Sequence, residues 1–165
     1  MVAPLNADFR KALTLAIVVP AALWGGAALV AQRIFGLPPC EMCYWQRWPH
    51  MAALALGLLA LFLRDKPIAR PLVWLAGLSI LVSGLIGLFH AGVEYKWWDG
   101  MTRCTSAIGK GSGDLLNDIM SAPLVRCDTA PWELMGISLA GFNAIFSIAS
   151  ATAIFILLAR RAKRA

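Results

Sequence analysis

Cys40 and Cys43, separated by two residues, form a pair that can cycle between dithiol and disulfide, and Arg47 follows four residues after Cys43. Pro38 and Pro39 precede the pair and stop the chain from arriving as helix, so the approach to Cys40 is extended. An apolar run begins at residue 44, which places Cys43 at the N-terminus of the helix that continues from it. Unpaired backbone N–H groups gather there and favour negative charge. Arg47, at i+4, shares a face with Cys43. Both effects favour the Cys43 thiolate, and the pair lies within reach of a lipid-soluble electron acceptor.

The chain holds two further cysteines, Cys104 and Cys127, with 22 residues between them. Two competing chemistries use four cysteines. Zinc sites pair two Cys-x-x-Cys knuckles, but the spacing of Cys104 and Cys127 is far from that, and the two histidines complete no ligand set. Two structural disulfides are the other reading. The ring closed by a two-residue spacer is tight and gains little from loop entropy, so that reading is weak for Cys40 and Cys43. Four cysteines allow three connectivities, which spacing does not decide. An arginine near a helix end often snorkels to lipid headgroups; its register with Cys43 gives Arg47 a functional reading as well. His90 ends a later apolar run. Its ordinary role is a satisfied interfacial histidine, and its functional one a hydrogen-bond donor to an acceptor beside Cys43. Glu94 reads as a solvated loop acid, and Ser138 and Asn143 as packing polar groups.

The elements that must position these residues are set by composition. Of 165 residues, 59% are hydrophobic and 15% charged, with a mean hydropathy of +0.69. A soluble domain is nearer half apolar. Four apolar stretches, about 12–32, 44–63, 72–91 and 136–158, are each long enough to cross a hydrocarbon layer of ~30 Å. Backbone groups in lipid must bond internally, so these are expected to be helices, and no alternating strand-length segments suggest a barrel. The first stretch is too long for a typical signal-peptide core and reads as an anchor. The expected fold is an all-α membrane protein, a four-helix bundle in one domain over 1–165, with connecting segments 33–43 and 92–135 on the same side. Glycines 25, 26, 57, 77, 84, 87 and 141 read as close helix contacts. Residues 109–113 form a flexible glycine stretch, and 114–120 an amphipathic segment that suits either the membrane surface or the bundle. Trp97, Trp98 and Trp132 suit the lipid–water boundary.

Charge sets the orientation. Nine basic residues near the termini and the 64–71 loop face two acidic ones, a net +7, while the opposite side has six basic and seven acidic residues, a net −1. The positive-inside rule puts both termini in the cytoplasm and all four cysteines outside it, where disulfides persist. The overall +6 is therefore a topology signal rather than a nucleic-acid patch.

Pro39-Cys40-Glu-Met-Cys43-Tyr-Trp-Gln-Arg47, then Cys104, then Cys127-Asp-Thr-Ala-Pro-Trp132 and Gly136-Ile-Ser-Leu-Ala-Gly-Phe-Asn143 resemble the DsbB family over nearly the whole chain. The resemblance implies a quinone-dependent disulfide oxidase of the bacterial inner membrane, with four spans and its cysteines facing the periplasm. It implies a DsbA-type thioredoxin-fold thiol oxidase as partner and a membrane quinone, ubiquinone or menaquinone, as electron acceptor. In the implied relay Cys104 forms the mixed disulfide with the partner, Cys127 attacks Cys40, and Cys43 passes electrons to the quinone beside Arg47. A vitamin K epoxide reductase type shares paired cysteines on a helical bundle, but a Cys-x-x-Cys that opens the second span favours the DsbB type. A scaffold stapled by two disulfides is the non-enzymatic alternative.

Overall fold

The computed structural model describes residues 7–101 and 125–162. Cys104, the glycine stretch 109–113 and the amphipathic segment 114–120 lie outside the described residues. Helix α1 spans Ala7–Pro20 and runs on through a π-helical stretch, Ala21–Ala28, into α2, Leu29–Arg33. Pro20 has no N–H for the carbonyl four residues back, and the widened turns begin immediately after it. Helix α3 spans Glu41–Phe62, α4 Ala69–Glu94 and α5 Leu139–Ala162; a two-stranded hairpin, β1 (Glu133–Leu134) and β2 (Ile137–Ser138), leads into α5.

Three of these segments, Ala7–Arg33, Ala69–Glu94 and Leu139–Arg160, are long and apolar enough to cross a membrane, with mean hydropathies of 2.1, 2.3 and 2.1. Helix α3 is comparable in length at 22 residues, yet it does not reach that apolarity. The expected fourth span therefore differs from the other three in composition. The cause is its first half, where Gln46, Arg47 and His50 interrupt the apolar run. Pro49 lies inside α3 without ending it.

Helix α4 is the centre of the bundle, packed on α3 along one side and α5 along the other, while α1 closes against α3 and α5. Small residues set these distances. A Cβ on Gly84 would sit 2.9 Å from Ile148 Cγ1, and one on Gly87 2.9 Å from Asn143 Nδ2, so α4 and α5 touch nearly backbone to backbone. Gly57 does the same for α3 against Ala16 and Ile17 of α1. Gly25 and Gly26, expected to make such contacts, have nothing within 4 Å of an added Cβ. They lie in the π-helical stretch that follows Pro20. The apolar core gathers around Phe9, Leu13, Val73, Ile80, Ile154 and Leu158, far along the bundle from the cysteines.

The end of α4 anchors two other segments. Trp97 N–H reaches the Gly92 carbonyl (2.8 Å) and Lys96 N–H the Val93 carbonyl (3.1 Å), with Lys96 at φ 61°, a Schellman close built on a lysine. That left-handed turn aims Lys96 at Asp128, to which its Nζ bonds at 2.8 Å. Tyr95 Oη donates to the Gly136 carbonyl (3.0 Å) and accepts from Ser138 N–H (2.8 Å). The hairpin turn itself has positive φ at both Met135 (53°) and Gly136 (76°), as a two-residue primed turn requires. One short helix terminus thus fastens both the 125–131 segment and the start of α5.

Candidate functional site

Cys40 is the N-cap of α3. Its backbone is extended (φ −78°, ψ 173°), and its Sγ accepts from Cys43 N–H at 3.3 Å. The Cys40 backbone N–H also favours charge on the Cys43 sulfur. The arrangement is a helix N-cap made with sulfur. The two Sγ atoms are 2.8 Å apart. The hydrogen bond from the Cys40 thiol favours the Cys43 thiolate and lowers its pKa from the ordinary thiol value; burial opposes this, and the Cys40 N–H and the Arg47 charge add to the lowering. The Cys40 thiol is pushed far up, first by its hydrogen bond with Cys127, then by that with Cys43 and by burial. The pair is therefore unequal: Cys43 is the more readily ionised sulfur, and Cys40 the one that holds its proton.

The surroundings divide the same way. An inner cleft of about 130 Å³ is lined by Cys43, Gln46, Arg47 and His50 of α3, by Trp24 of the π-helical stretch, and by Asn143 of α5, among others. An outer cleft of about 170 Å³ is lined by Cys40, Cys43, Val125, Arg126 and Thr129. Cys43 borders both clefts, whereas Cys40 borders only the outer one. Cys127, fully buried, packs with Cys40, Met42 and Val93. Its segment is held by Asp128, which pairs with Lys96 (2.8 Å) and Arg126 (2.6 Å). Those cations, Arg126 foremost, hold the Asp128 carboxyl well below the usual carboxylate range.

Of the residues singled out by sequence, Cys40, Cys43, Cys127, Arg47 and His90 come together here, while Cys104 lies outside the described residues. Arg47 lines the inner cleft as its register requires; its Nη1 donates to Gln32 Oε1 (2.9 Å) and its guanidinium lies 5.3 Å over the Tyr44 ring. His90 is buried, with Nε2 3.6 Å from Cys40 Sγ and 3.7 Å from Glu94 Oε1. It faces Cys40 rather than only the cleft beside Cys43. Glu94, read as a solvated loop acid, has a side chain only 2% exposed and accepts from Ser138 Oγ at 2.5 Å. The helix continues past the apolar stretch to its Schellman close, and this carries Glu94 inward.

Gln46 and Asn143 organise the interior. Gln46 Nε2 donates to the Met42 carbonyl (3.2 Å), an acceptor only, so the amide orientation is fixed and the same nitrogen donates to His90 Nδ1 (2.8 Å). His90 must then carry its proton on Nε2, towards Cys40 and Glu94. Asn143 Nδ2 donates to Gln46 Oε1 (2.8 Å) and to the Ser83 carbonyl (3.2 Å), which turns its Oδ1 to His50 Nε2 (2.9 Å). None of this network follows from sequence, since its members are up to 97 residues apart; the one hint is the recurrence of polar residues at 43, 46, 47 and 50, a helical spacing.

Cys40, Cys43 and His90 place their ligand atoms within 4.8 Å of one another, a donor set that suits a thiophilic ion. The hydrogen bonding opposes such use, because the His90 nitrogen facing the thiols is the protonated one. The inner cleft suits a different ligand class. Its walls are mostly apolar and aromatic, with a cation and amide groups at its polar side, which fits a flat ring bearing polar oxygens.

A family model described as disulfide bond formation protein DsbB matches residues 9–157. A disulfide bond formation protein B of Polaromonas is 27% identical, covering 82% of this chain and 83% of its own length. One from Marinobacter nauticus is 24% identical over 83% of this chain and 85% of its own. An uncharacterized protein of Rickettsia prowazekii is 26% identical, covering 86% and 83%. No solved structure matches. The unequal cysteine pair at the head of a membrane helix bundle thus occurs in a chain that belongs to the DsbB family of membrane disulfide bond formation proteins.

Proposed function

We propose that this protein reoxidises a periplasmic thiol oxidase of the DsbA type and passes the electrons to a membrane quinone held in the inner cleft. The observation that carries the reading is the division of the pair: Cys43 opens on the inner cleft beside Arg47, and Cys40 opens on Cys127. In this orientation both termini are cytoplasmic, α3 crosses the membrane with the other three helices, and the cysteines face the periplasm, as the charge asymmetry requires. The polar half of α3 is tolerated because it is turned into the bundle and the cleft, where Gln46 and His50 are 7% and 3% exposed.

The relay uses the chain's own thiols. A reduced partner attacks the Cys104–Cys127 disulfide through Cys104 and releases Cys127. The Cys127 thiolate attacks Cys40, the sulfur it already contacts, and Cys43 leaves as a thiolate. That leaving group is favoured by the Arg47 charge and the Cys40 backbone N–H, while Cys40, now in the bridge, has no thiol proton left to give it. The partner's second thiol displaces Cys104 and leaves oxidised. Cys104 then attacks Cys127 of the Cys40–Cys127 bridge, which restores Cys104–Cys127 and frees Cys40. Closing the Cys40–Cys43 disulfide completes the cycle, and a quinone supplies the sink for the two electrons and two protons released. Arg47 neutralises negative charge at the cleft, and the Trp24 side keeps water from it.

The test uses purified protein, a soluble short-tailed quinone and reduced thiol oxidase. Thiol-dependent quinone reduction that disappears in Cys43→Ser supports the reading. Full activity in that variant would sink it and return the cysteines to structural staples. Labelling of residues 92–101 from the cytoplasmic side would sink the orientation.

A further inference from the structure

The Asn143 amide fixes a second histidine tautomer. Its nitrogen is committed to the Ser83 carbonyl and Gln46 Oε1, so Oδ1 is the atom facing His50 Nε2, and neutral His50 carries its proton there. Nδ1 is then an acceptor without a proton. His50 is 3% exposed and lines the inner cleft, yet its Nδ1 has no hydrogen-bond partner among the described residues. It is the one buried side-chain nitrogen or oxygen left unpaired among them. A buried acceptor without a donor is unfavourable. The rest of this network is fully paired, and the unmet acceptor belongs to a residue that lines the cleft; the nitrogen itself is closed to solvent, so a ligand's donor meets it as the wall adjusts around a bound ring.

The position is informative. His50 follows Cys43 by seven residues, two helical turns and roughly 10 Å along the axis, with Arg47 between them on the same side. The cleft wall therefore carries a cationic donor near the thiolate and, deeper along α3, a residue with an unmet acceptor. A quinone ring presents only acceptor oxygens, whereas a quinol presents hydroxyl donors. We propose that His50 Nδ1 accepts a hydrogen bond from a ring hydroxyl of the quinol, making this end of the cleft selective for the reduced ring. The inference rests on the cleft being the quinone site. It assigns His50 a contact with bound product that distinguishes it from Arg47, whose charge favours an oxygen acceptor. None of the motifs that carry the family resemblance includes residue 50.

The experiment compares a short-tailed ubiquinone with the matching ubiquinol on the full chain in detergent. A Cys43→Ser background prevents turnover, and binding is followed by quenching of tryptophan fluorescence, Trp24 being in the cleft wall. His50→Leu is expected to weaken quinol binding roughly five- to tenfold, the usual worth of one neutral hydrogen bond, with quinone binding held within about twofold. His50→Asn, whose side-chain oxygen can take the place of Nδ1, should recover most of the quinol affinity. Equal weakening of both ligands would overturn the inference and leave His50 a packing residue. Unchanged quinol affinity in His50→Leu would also overturn it, as expected of a nitrogen met only by water. If the parent binds neither ring, the cleft is not the quinone site and the inference falls with that reading, so the two failures are told apart.

Discussion

Replacing Cys40 should reduce the Cys43 thiolate more than replacing Arg47 does, contrary to the intuition that the nearby cation controls the sulfur. At the ~6 Å between side chains four residues apart, and with an effective dielectric of 20 to 80, two unit charges attract by about 0.7–2.8 kcal/mol. Arg47 is half-buried, bonds to Gln32 and lies over Tyr44, so the lower end applies, about 1 kcal/mol. A hydrogen bond to a charged sulfur is worth about 1.5–3 kcal/mol. Cys40→Ala removes the thiol donor and leaves the Cys40 N–H in place. The thiolate fraction at a fixed pH should then fall by at least about tenfold in Cys40→Ala, and by about fivefold in Arg47→Ala. Cys40→Ser keeps a hydroxyl donor and the helix cap, and should stay near the parent. The assay is the ultraviolet absorbance of the thiolate against pH, with Cys104 and Cys127 replaced by serine. A larger loss in Arg47→Ala than in Cys40→Ala would refute the reasoning and make the charge, not the cap, the controlling contact. The sign is fixed by the structure: the depressed Cys43 group ionises below the ordinary thiol range, while Cys40, raised, stays protonated through it.

Gln46→Leu removes the donor to His90 Nδ1 and the acceptor for Asn143, leaving two buried groups short of a partner; a loss of about 2–4 kcal/mol is expected, read as a lowered denaturation midpoint in detergent. A loss under about 0.5 kcal/mol would mean that the network is looser than its distances imply. Asp128→Ala should change stability by under about 1 kcal/mol, because Lys96 and Arg126 are largely exposed, yet slow formation of a Cys40–Cys127 disulfide in a Cys43→Ser, Cys104→Ser protein. Asp128 titrates below the ordinary carboxylate range, so its clamp contributes above that range and through mild acid, and is lost only as pH falls below it. An unchanged rate of disulfide formation in Asp128→Ala, measured beside the parent at one pH, would show the clamp to be unimportant.

What the sequence reveals here is what local spacing carries. The Cys40–Cys43 pair, the i+4 register of Arg47 and the extended Pro38–Pro39 approach are properties of ten consecutive residues, and the fold realises them as an N-cap and one helix face. The long apolar runs likewise announce helices without tertiary information. The misreadings have one physical origin, contacts between distant segments. Glu94 looks solvated because it comes after the apolar run, but the lysine-built close at Lys96 extends α4 far enough to bury it. Gly25 and Gly26 look like packing glycines, but no distant segment comes within 4 Å of a Cβ placed on either. The same cause explains why α3 is the least membrane-like of the four long helices. Gln46, Arg47 and His50 lower its apolarity because they line the cleft, and a helix that supplies the wall of a polar-edged site inside a bundle cannot also be apolar all round. Its failure to look like a span is therefore a consequence of the site it builds, and the residues responsible for that failure are the ones on which the proposed chemistry depends.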